Sequence, residues 1–169
     1  MLLNDKMCGG MVVLGVAYDK KRQVFWAIFD SLTAVGKFET SLVRSDANVL
    51  VPSARDGYDG ESQFEGVFLD SNTDSMYLLI EAIEAMDMDK AGDSDDVAVY
   101  RAVVQSVDLS SLEAGGYSSY SISEECVLDF EFESDSKGFE SMRLITVNGI
   151  DYFLGLCVCV CVSTLRMCC

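Results

Sequence analysis

A short pattern recurs three times along this chain, each time at the same distance from a downstream aromatic residue. The copies are Phe64-Glu65-Gly66 followed by Tyr77, Phe139-Glu140-Ser141 followed by Tyr152, and a degenerate copy, Val13-Leu14-Gly15, followed by Trp26. In every copy the aromatic residue lies 13 positions after the first residue (77 − 64, 152 − 139 and 26 − 13). Such self-similarity predicts a repeat architecture, in which one supersecondary unit is copied and stacked.

The segments around these copies have the composition of β-strands. β-Branched and aromatic residues alternate with polar turns, and the chain has a single proline, Pro52. Strands are predicted at 11–19, 24–30, 34–43, 48–52, 66–69, 76–82, 97–108 and 119–132, which gives four strands per copy. Four antiparallel strands per unit are typical of a propeller blade, so we predict an all-β fold, a partial β-propeller of about two and a half blades. A small β-sandwich or barrel built from the same hairpins is the alternative.

The repeat divides the chain into four segments. Residues 11–53 form a degenerate first blade, 61–134 a second blade with an acidic loop at 87–96, and 138–157 the first two strands of a third. In residues 158–169 the pattern stops and cysteine alternates with valine, so we predict an anomalous tail there instead of a natural last blade. Cys157, Cys159 and Cys161 would share one strand face.

Composition excludes several classes of function. The chain has no histidine, which removes Ser-His-Asp and Cys-His catalysis and histidine-ligated zinc. Its net charge of −16 argues against nucleic acid or an anionic membrane as a partner. The longest apolar run, from Tyr152 to Leu165, is shorter than the ~20 residues of a membrane-spanning helix. No signal peptide is visible, and the sequence does not fix a compartment.

The seven cysteines do not have the spacing of a disulfide framework. Five of them lie within the last 13 residues, while Cys8 and Cys126 are isolated. Secreted domains stapled by disulfides instead show an even number of well-spaced cysteines. We therefore expect no framework of disulfides.

Glu65 and Glu140 are the candidate site residues. First strands line the central channel of a propeller, so carboxylates at one repeat position would converge on its axis. Converging carboxylates favour a hard cation such as Ca²⁺, which could polarise an ester or phosphoryl oxygen. The alternative is that each glutamate only binds backbone N–H groups between blades. The loop 87–96 fits the EF-hand pattern poorly, since Ala91 and Ala98 occupy ligand positions, and a solvated loop is predicted.

The repeated motif also resembles a known family. Phe64-Glu65-Gly66-Val67 with Tyr77–Ala82, and Gly138-Phe139-Glu140 with Tyr152–Cys157, are similar to the phytase-like β-propeller proteins, described as having esterase-like activity of phytase. The resemblance covers about residues 60–157 well and 11–53 weakly. It departs from the family at Ser141, where glycine is expected, and at Val13-Leu14, where Phe-Glu is expected.

The resemblance implies a calcium-dependent hydrolase of phosphate or carboxylic esters in the full-length form. Two alternatives stay open: a non-catalytic propeller that serves as a binding platform, and a non-functional fragment. In the fragment, open blade edges would favour self-association.

Overall fold

The computed structural model describes residues 12–30, 32–54, 64–85, 99–132, 138–157 and 162–166. These residues form eleven strands and one short helix. The strands are β1 (Val13–Asp19), β2 (Val24–Phe29), β3 (Ala34–Glu39), β4 (Val49–Pro52), β5 (Phe64–Asp70), β6 (Ser75–Ala85), β7 (Val99–Asp108), β8 (Glu124–Phe132), β9 (Phe139–Val147), β10 (Ile150–Cys157) and β11 (Val162–Arg166), and the helix is α1 (Leu109–Ala114). The predicted all-β class is confirmed.

The strands form three antiparallel sheets, and in each sheet strands adjacent in sequence are hydrogen-bonded neighbours. Sheet 1 contains β1 to β4, sheet 2 contains β5 to β8, and sheet 3 contains β9 to β11. The four-stranded antiparallel unit is confirmed for sheets 1 and 2. Where the sequence predicts two strands from residue 138 onward, the structure has three, because β11 pairs with β10 from Leu156↔Val162 to Tyr152↔Arg166.

Sheet 2 lies between the other two sheets and is apolar on both faces. One face packs on sheet 1 in a first core that includes Trp26, Ile28, Val35, Met76 and Leu78, all fully buried. The other face packs on sheet 3 in a second core, where Tyr77 and Leu79 meet Phe139, Met142 and Phe153. Because side chains alternate along β6, successive residues contribute to opposite cores. The three sheets therefore stack face to face in chain order.

The first strands of the three sheets lie side by side. β1 contacts β5, and β5 contacts β9. The first hairpins of sheets 1 and 2 are also built alike, because each has a four-residue turn that ends in a left-handed residue, Gln23 (φ 57°) or Asp74 (φ 56°). In both turns an aspartate at the end of the first strand accepts backbone N–H bonds from the turn: Asp19 from Lys21 and Arg22, and Asp70 from Asn72.

The first hairpin of sheet 3 has a different turn, which shifts its register by two residues. Asn148 (φ 54°) and Gly149 (φ 76°) form a two-residue turn of the I′ kind, and β9 is correspondingly longer. Tyr77 pairs with Phe68, the fifth residue of β5, but the fifth residue of β9, Arg143, pairs with Leu154. The constant spacing in sequence therefore does not make Tyr152 the structural equivalent of Tyr77, and Leu154 takes that position.

Other local predictions need correction. β6 continues to Ala85, through residues for which the sequence predicts a loop or one helical turn from Glu81. Residues 109–114, within a region without predicted structure, form α1, whose N-terminus is capped by the Asp108 carboxylate. Cys126 is disulfide-bonded. A single bonded cysteine does not contradict the prediction that the chain has no framework of disulfides. Disulfide pairing depends on proximity in the fold, which spacing alone does not reveal.

Candidate functional site

Each first strand carries a β-bulge at its second residue. In sheet 1, Val13 pairs with Phe29 and Gly15 with Ile28, so Leu14 is the extra residue. The same interruption makes Glu65 the extra residue in sheet 2 and Glu140 the extra residue in sheet 3. A bulge re-aims a side chain and locally ends the pairing, and bulges are frequent next to functional sites. The repeated motif thus encodes a bulge at one position of all three sheets.

The two predicted site residues occupy equivalent positions, and the charge of Glu140 acts on Glu65. Glu65 is half-buried and Glu140 is exposed. The pKa of Glu65 is raised to about 7, first by burial and then by the nearby charges of Glu81, Glu140 and Asp30, in that order. The Glu65 carboxyl therefore exchanges its proton near neutral pH, in a chain that has no histidine to do so.

Sequence analysis missed Glu81 and Asp30, although the repeat contains a signal for both. Asp30 lies 17 positions after Val13, and Glu81 lies 17 positions after Phe64 (30 − 13 and 81 − 64). Asp30 follows Phe29, which pairs with Val13, and Glu81 follows Ile80, which pairs with Phe64. Each acidic residue therefore lies beside the bulge of its own sheet. Extending the repeat comparison from 13 to 17 positions would have found this second acidic pair.

The described residues do not make up a calcium site by themselves. Within these ranges no group of three or more His, Cys, Asp or Glu side chains is arranged to hold a metal ion. Ca²⁺ takes 6 to 8 oxygen ligands, and the two carboxylates of Glu65 and Glu140 would supply about four of them at most. The loop 87–96 and the cysteines at 159, 161, 168 and 169 lie outside the described residues. Calcium binding at Glu65 and Glu140 stays a prediction.

A second polar cluster, at the opposite end of the first strands, is fully paired. Arg22 donates to Asp19, Asp74 and Glu113, with N···O distances of 3.1, 2.7 and 3.1 Å. The hydrogen bond from Arg22, followed by that from Lys21, holds the pKa of Asp74 well below its usual range. A set of charges paired in this way links the first turns of sheets 1 and 2 to α1, which is a structural role. The aspartate that recurs at positions 19 and 70 belongs to this cluster only in sheet 1, since Asp70 binds Asn72 and Thr73 within its own turn.

Together these features define an all-β protein of consecutive antiparallel sheets whose bulged first strands bring carboxylates to one end. No family model matches the chain, and no curated protein matches it. A solved structure, the major allergen Mala s 1 of Malassezia sympodialis, aligns with 90% of this chain at 14% identity and a TM-score of 0.33. The alignment spans about half (52%) of the allergen chain. A TM-score this low carries no argument about fold or function.

Among the described residues, no helix combines the length and the apolar character that crossing a membrane would require.

Proposed function

We propose that this chain supplies blades of a phytase-like β-propeller that hydrolyses ester bonds, with Glu65 as the acid–base group. The observation that supports this proposal best is the pKa of Glu65, raised to about 7. A group with a pKa near the working pH is well populated both as proton donor and as proton acceptor. The sequence resemblance supplies the substrate class, phosphate or carboxylic esters.

In this proposal Glu65 acts on water and on the leaving group in turn. Its carboxylate accepts a proton from the attacking water, and its carboxylic acid form returns a proton to the departing alcohol oxygen. Glu140 and Glu81 act on Glu65 through their charges, because like charges disfavour its ionised form. They are positioning residues, since their effect is to keep the proton of Glu65 available near neutral pH.

The charge of the site favours carboxylic esters over phosphate esters as substrate. Glu65, Glu81, Glu140 and Asp30 repel a phosphate dianion unless a cation lies between them. A neutral carboxylic ester carries no such penalty. Phosphate ester hydrolysis would therefore depend on added Ca²⁺, whereas carboxylic ester hydrolysis would not.

A pH–rate profile with p-nitrophenyl acetate and p-nitrophenyl phosphate tests the proposal. We expect carboxylic ester hydrolysis with a limb near pH 7 that Glu65→Gln abolishes and Glu140→Gln moves to lower pH. Asp129→Asn, at an exposed position on β8, is the matched control and should leave the profile unchanged. Equal rates for wild type and Glu65→Gln at every pH would remove the proposal.

A non-catalytic binding platform is the second candidate, and one groove favours it. An open groove of roughly 490 Å³ is lined by Ala54, Ser121, Ile122, Ser123, Glu124 and Glu125. Its floor is fixed, because the backbone around Tyr120 bridges to the end of β4 through Tyr120 N–H to Pro52 and Ala54 N–H to Tyr120. Two glutamates and two serines suit a small cationic ligand. Binding of spermidine that Glu124→Gln weakens, in the absence of esterase activity, would support this alternative.

A further inference from the structure

Among the residues that the structure describes, no further sheet packs on the outer face of sheet 1 or on the outer face of sheet 3. Sheet 2 packs one face on sheet 1 and the other on sheet 3. The face of sheet 3 that points away from sheet 2 is here called the leading face, and the face of sheet 1 that points away from sheet 2 the trailing face. Sheets of a propeller bury both faces against neighbours, so these two faces lack what the fold normally supplies.

The leading face of sheet 3 repeats the residues that sheets 1 and 2 bury. The third residue of each first strand pairs with Ile28, Leu79 and Leu156 in sheets 1, 2 and 3. Ile28 and Leu79 are fully buried against the next sheet, whereas Leu156 is 54% exposed. Leu154 likewise stands at the position of Trp26 and Tyr77, which are buried. Sheet 3 therefore presents Leu154 and Leu156 where a following sheet would pack, with the exposed Arg143 beside Leu154 on the same face.

On β1, the trailing face of sheet 1 leaves exposed the positions that sheets 2 and 3 bury against a preceding sheet, while on β2 the same face buries Ala27 and Phe29. Val13 and Val16 stand at the positions of Phe64 and Val67 in sheet 2, and of Phe139 and Met142 in sheet 3. Phe139 and Met142 are buried, whereas Val13 and Val16 are 52% and 58% exposed. Tyr18, next along this face, is also exposed and contacts Phe25 across the strand pair.

We propose that the leading face of one copy of this chain packs on the trailing face of a second copy, and that two copies close a ring of six sheets. Each new contact would repeat the interface that already joins sheet 1 to sheet 2 and sheet 2 to sheet 3. Propellers close with 4 to 8 blades, so two copies of three sheets fall within that range and three copies do not. A head-to-tail contact of this kind forms a ring when the rotation closes, and a filament when it does not.

The replacement of glycine by serine in sheet 3 is compatible with this contact. Ser141 stands where Gly15 and Gly66 approach the following sheet. A Cβ on Gly66 would lie 3.4 Å from Leu79 and 3.6 Å from the backbone nitrogen of Met142 in sheet 3, which are ordinary contact distances. A Cβ on Gly15 would lie 3.3 Å from Val67 of sheet 2, which is tighter than ordinary contact, so the serine Cβ fits the spacing that joins sheets 2 and 3 and not the one that joins sheets 1 and 2.

Ring closure would also complete the candidate site. The bulges of six first strands would face one axis, and the second copy would contribute its own Glu65 and Glu140. Assembly depends on the apolar faces and holds whether or not Glu65 carries out acid–base chemistry. Molecular mass and esterase activity therefore test the two proposals separately.

The test is the mass in solution of the 169-residue chain, measured by light scattering coupled to size exclusion over a range of concentrations. We expect twice the 18.5 kDa of one chain. Val16→Glu damages only the trailing face and Leu156→Glu only the leading face, and each should reduce the mass to that of one chain. Leu42→Glu, in the turn after β3 and 69% exposed, is the matched control and should keep the dimer. Circular dichroism establishes that every variant is folded.

Mixing the two damaged variants distinguishes a head-to-tail contact, between different faces of the two copies, from a contact that uses the same face of both copies. Val16→Glu keeps an intact leading face and Leu156→Glu an intact trailing face, so an equimolar mixture should recover dimer that neither forms alone. The proposal would be overturned if the wild type were monomeric, or if it formed a dimer that neither Val16→Glu nor Leu156→Glu dissociates. The two faces would then have another partner, such as further sheets in a longer chain. A ladder of larger masses would overturn ring closure by two copies.

Discussion

The guanidinium of Arg22 binds both carboxylate oxygens of Asp74, at 2.7 and 2.9 Å, and so joins the first turn of sheet 1 to the first turn of sheet 2. Arg22 is almost fully buried there, with its side chain 5% exposed, and it also binds the buried carboxylate of Asp19. Lys21 in the same turn binds Asp74 from solvent, with its side chain 65% exposed. One aspartate thus has a buried and an exposed cationic partner.

Arg22→Ala should destabilise the protein far more than Lys21→Ala. Removing Arg22 leaves Asp19 buried without its cation, which costs about 3 kcal/mol in free energy of unfolding. Removing the exposed Lys21 costs less than about 1 kcal/mol. Urea unfolding of the two variants provides the comparison at pH 7. Equal losses would contradict the assignment of Arg22 as the buried link between the sheets.

Ionisation of Glu65 should make the protein less stable as the pH rises. The pKa of Glu65 is about 7 in the folded protein and 4.5 as its ordinary value, so the folded state holds this proton more tightly. The stabilising contribution is complete below about pH 4.5 and is lost as the pH rises to 7. The free energy of unfolding of Glu65→Gln, relative to that of wild type, should therefore rise by on the order of 1 kcal/mol between pH 4.5 and 8, after allowance for solvent screening at this half-buried site.

Thermal or urea unfolding across that pH range checks the Glu65 prediction. Glu140→Gln is the companion variant, because it removes one of the charges that raise the pKa of Glu65. In this variant the loss of stability with rising pH should be complete at a lower pH than in wild type. A difference between wild type and Glu65→Gln that does not vary with pH would show that Glu65 has its ordinary pKa.

Tyr77→Ala should destabilise the second core, whereas Tyr152→Ala should have a smaller effect. Tyr77 is 9% exposed, stacks on Phe68 at 4.9 Å between ring centres and meets the edge of Phe153. Truncation of a buried aromatic residue costs on the order of 3 kcal/mol. Tyr152 is only half-buried and belongs to the leading face. Coincident melting curves for wild type and Tyr77→Ala would contradict this packing.

Calcium, where it binds, should do so weakly at Glu65 and Glu140 and not at the loop 87–96. Ca²⁺ must compete with the proton on Glu65, so affinity should rise up to about tenfold between pH 6 and pH 8. Calorimetric titration of wild type, Glu65→Gln and a triple variant with Asp93→Asn, Asp95→Asn and Asp96→Asn tests the assignment. Unchanged binding by Glu65→Gln, with loss in the triple variant, would move the site to the loop.

The sequence predicted the sheets better than their registers. Apolar alternation and turn residues located β1 to β8 to within a few residues, because strand formation depends on local pattern. The helix α1 was missed, since its six residues are too short for a period and its signal is the cap at Asp108. The register shift at Tyr152 was missed because the Asn148-Gly149 turn changes the strand pairing, while the distance in sequence from Phe139 to Tyr152 stays at 13 residues.

The candidate site was predicted in part. Repetition identified Glu65 and Glu140, because a bulge recurs where the motif recurs. Asp30, just after β2, and Glu81, within β6, stand at equivalent positions of the repeat, but the electrostatic effect of one carboxylate on another depends on distances across sheets. The Arg22 cluster was beyond sequence reasoning, because it joins residues 52 and 91 positions apart.

The Asn148-Gly149 turn also constrains how hairpins of this kind can diverge. Relative to the other two hairpins, the first hairpin of sheet 3 has two fewer turn residues and two more residue pairs, and its apolar residues keep their faces because strand alternation has a period of two. A slip of one residue would place Phe153 on the opposite face and remove it from the second core. A register shift in a hairpin of this chain therefore preserves the core contacts only in steps of two, which makes the parity of the register, and not the spacing in sequence, the property shared by the three copies.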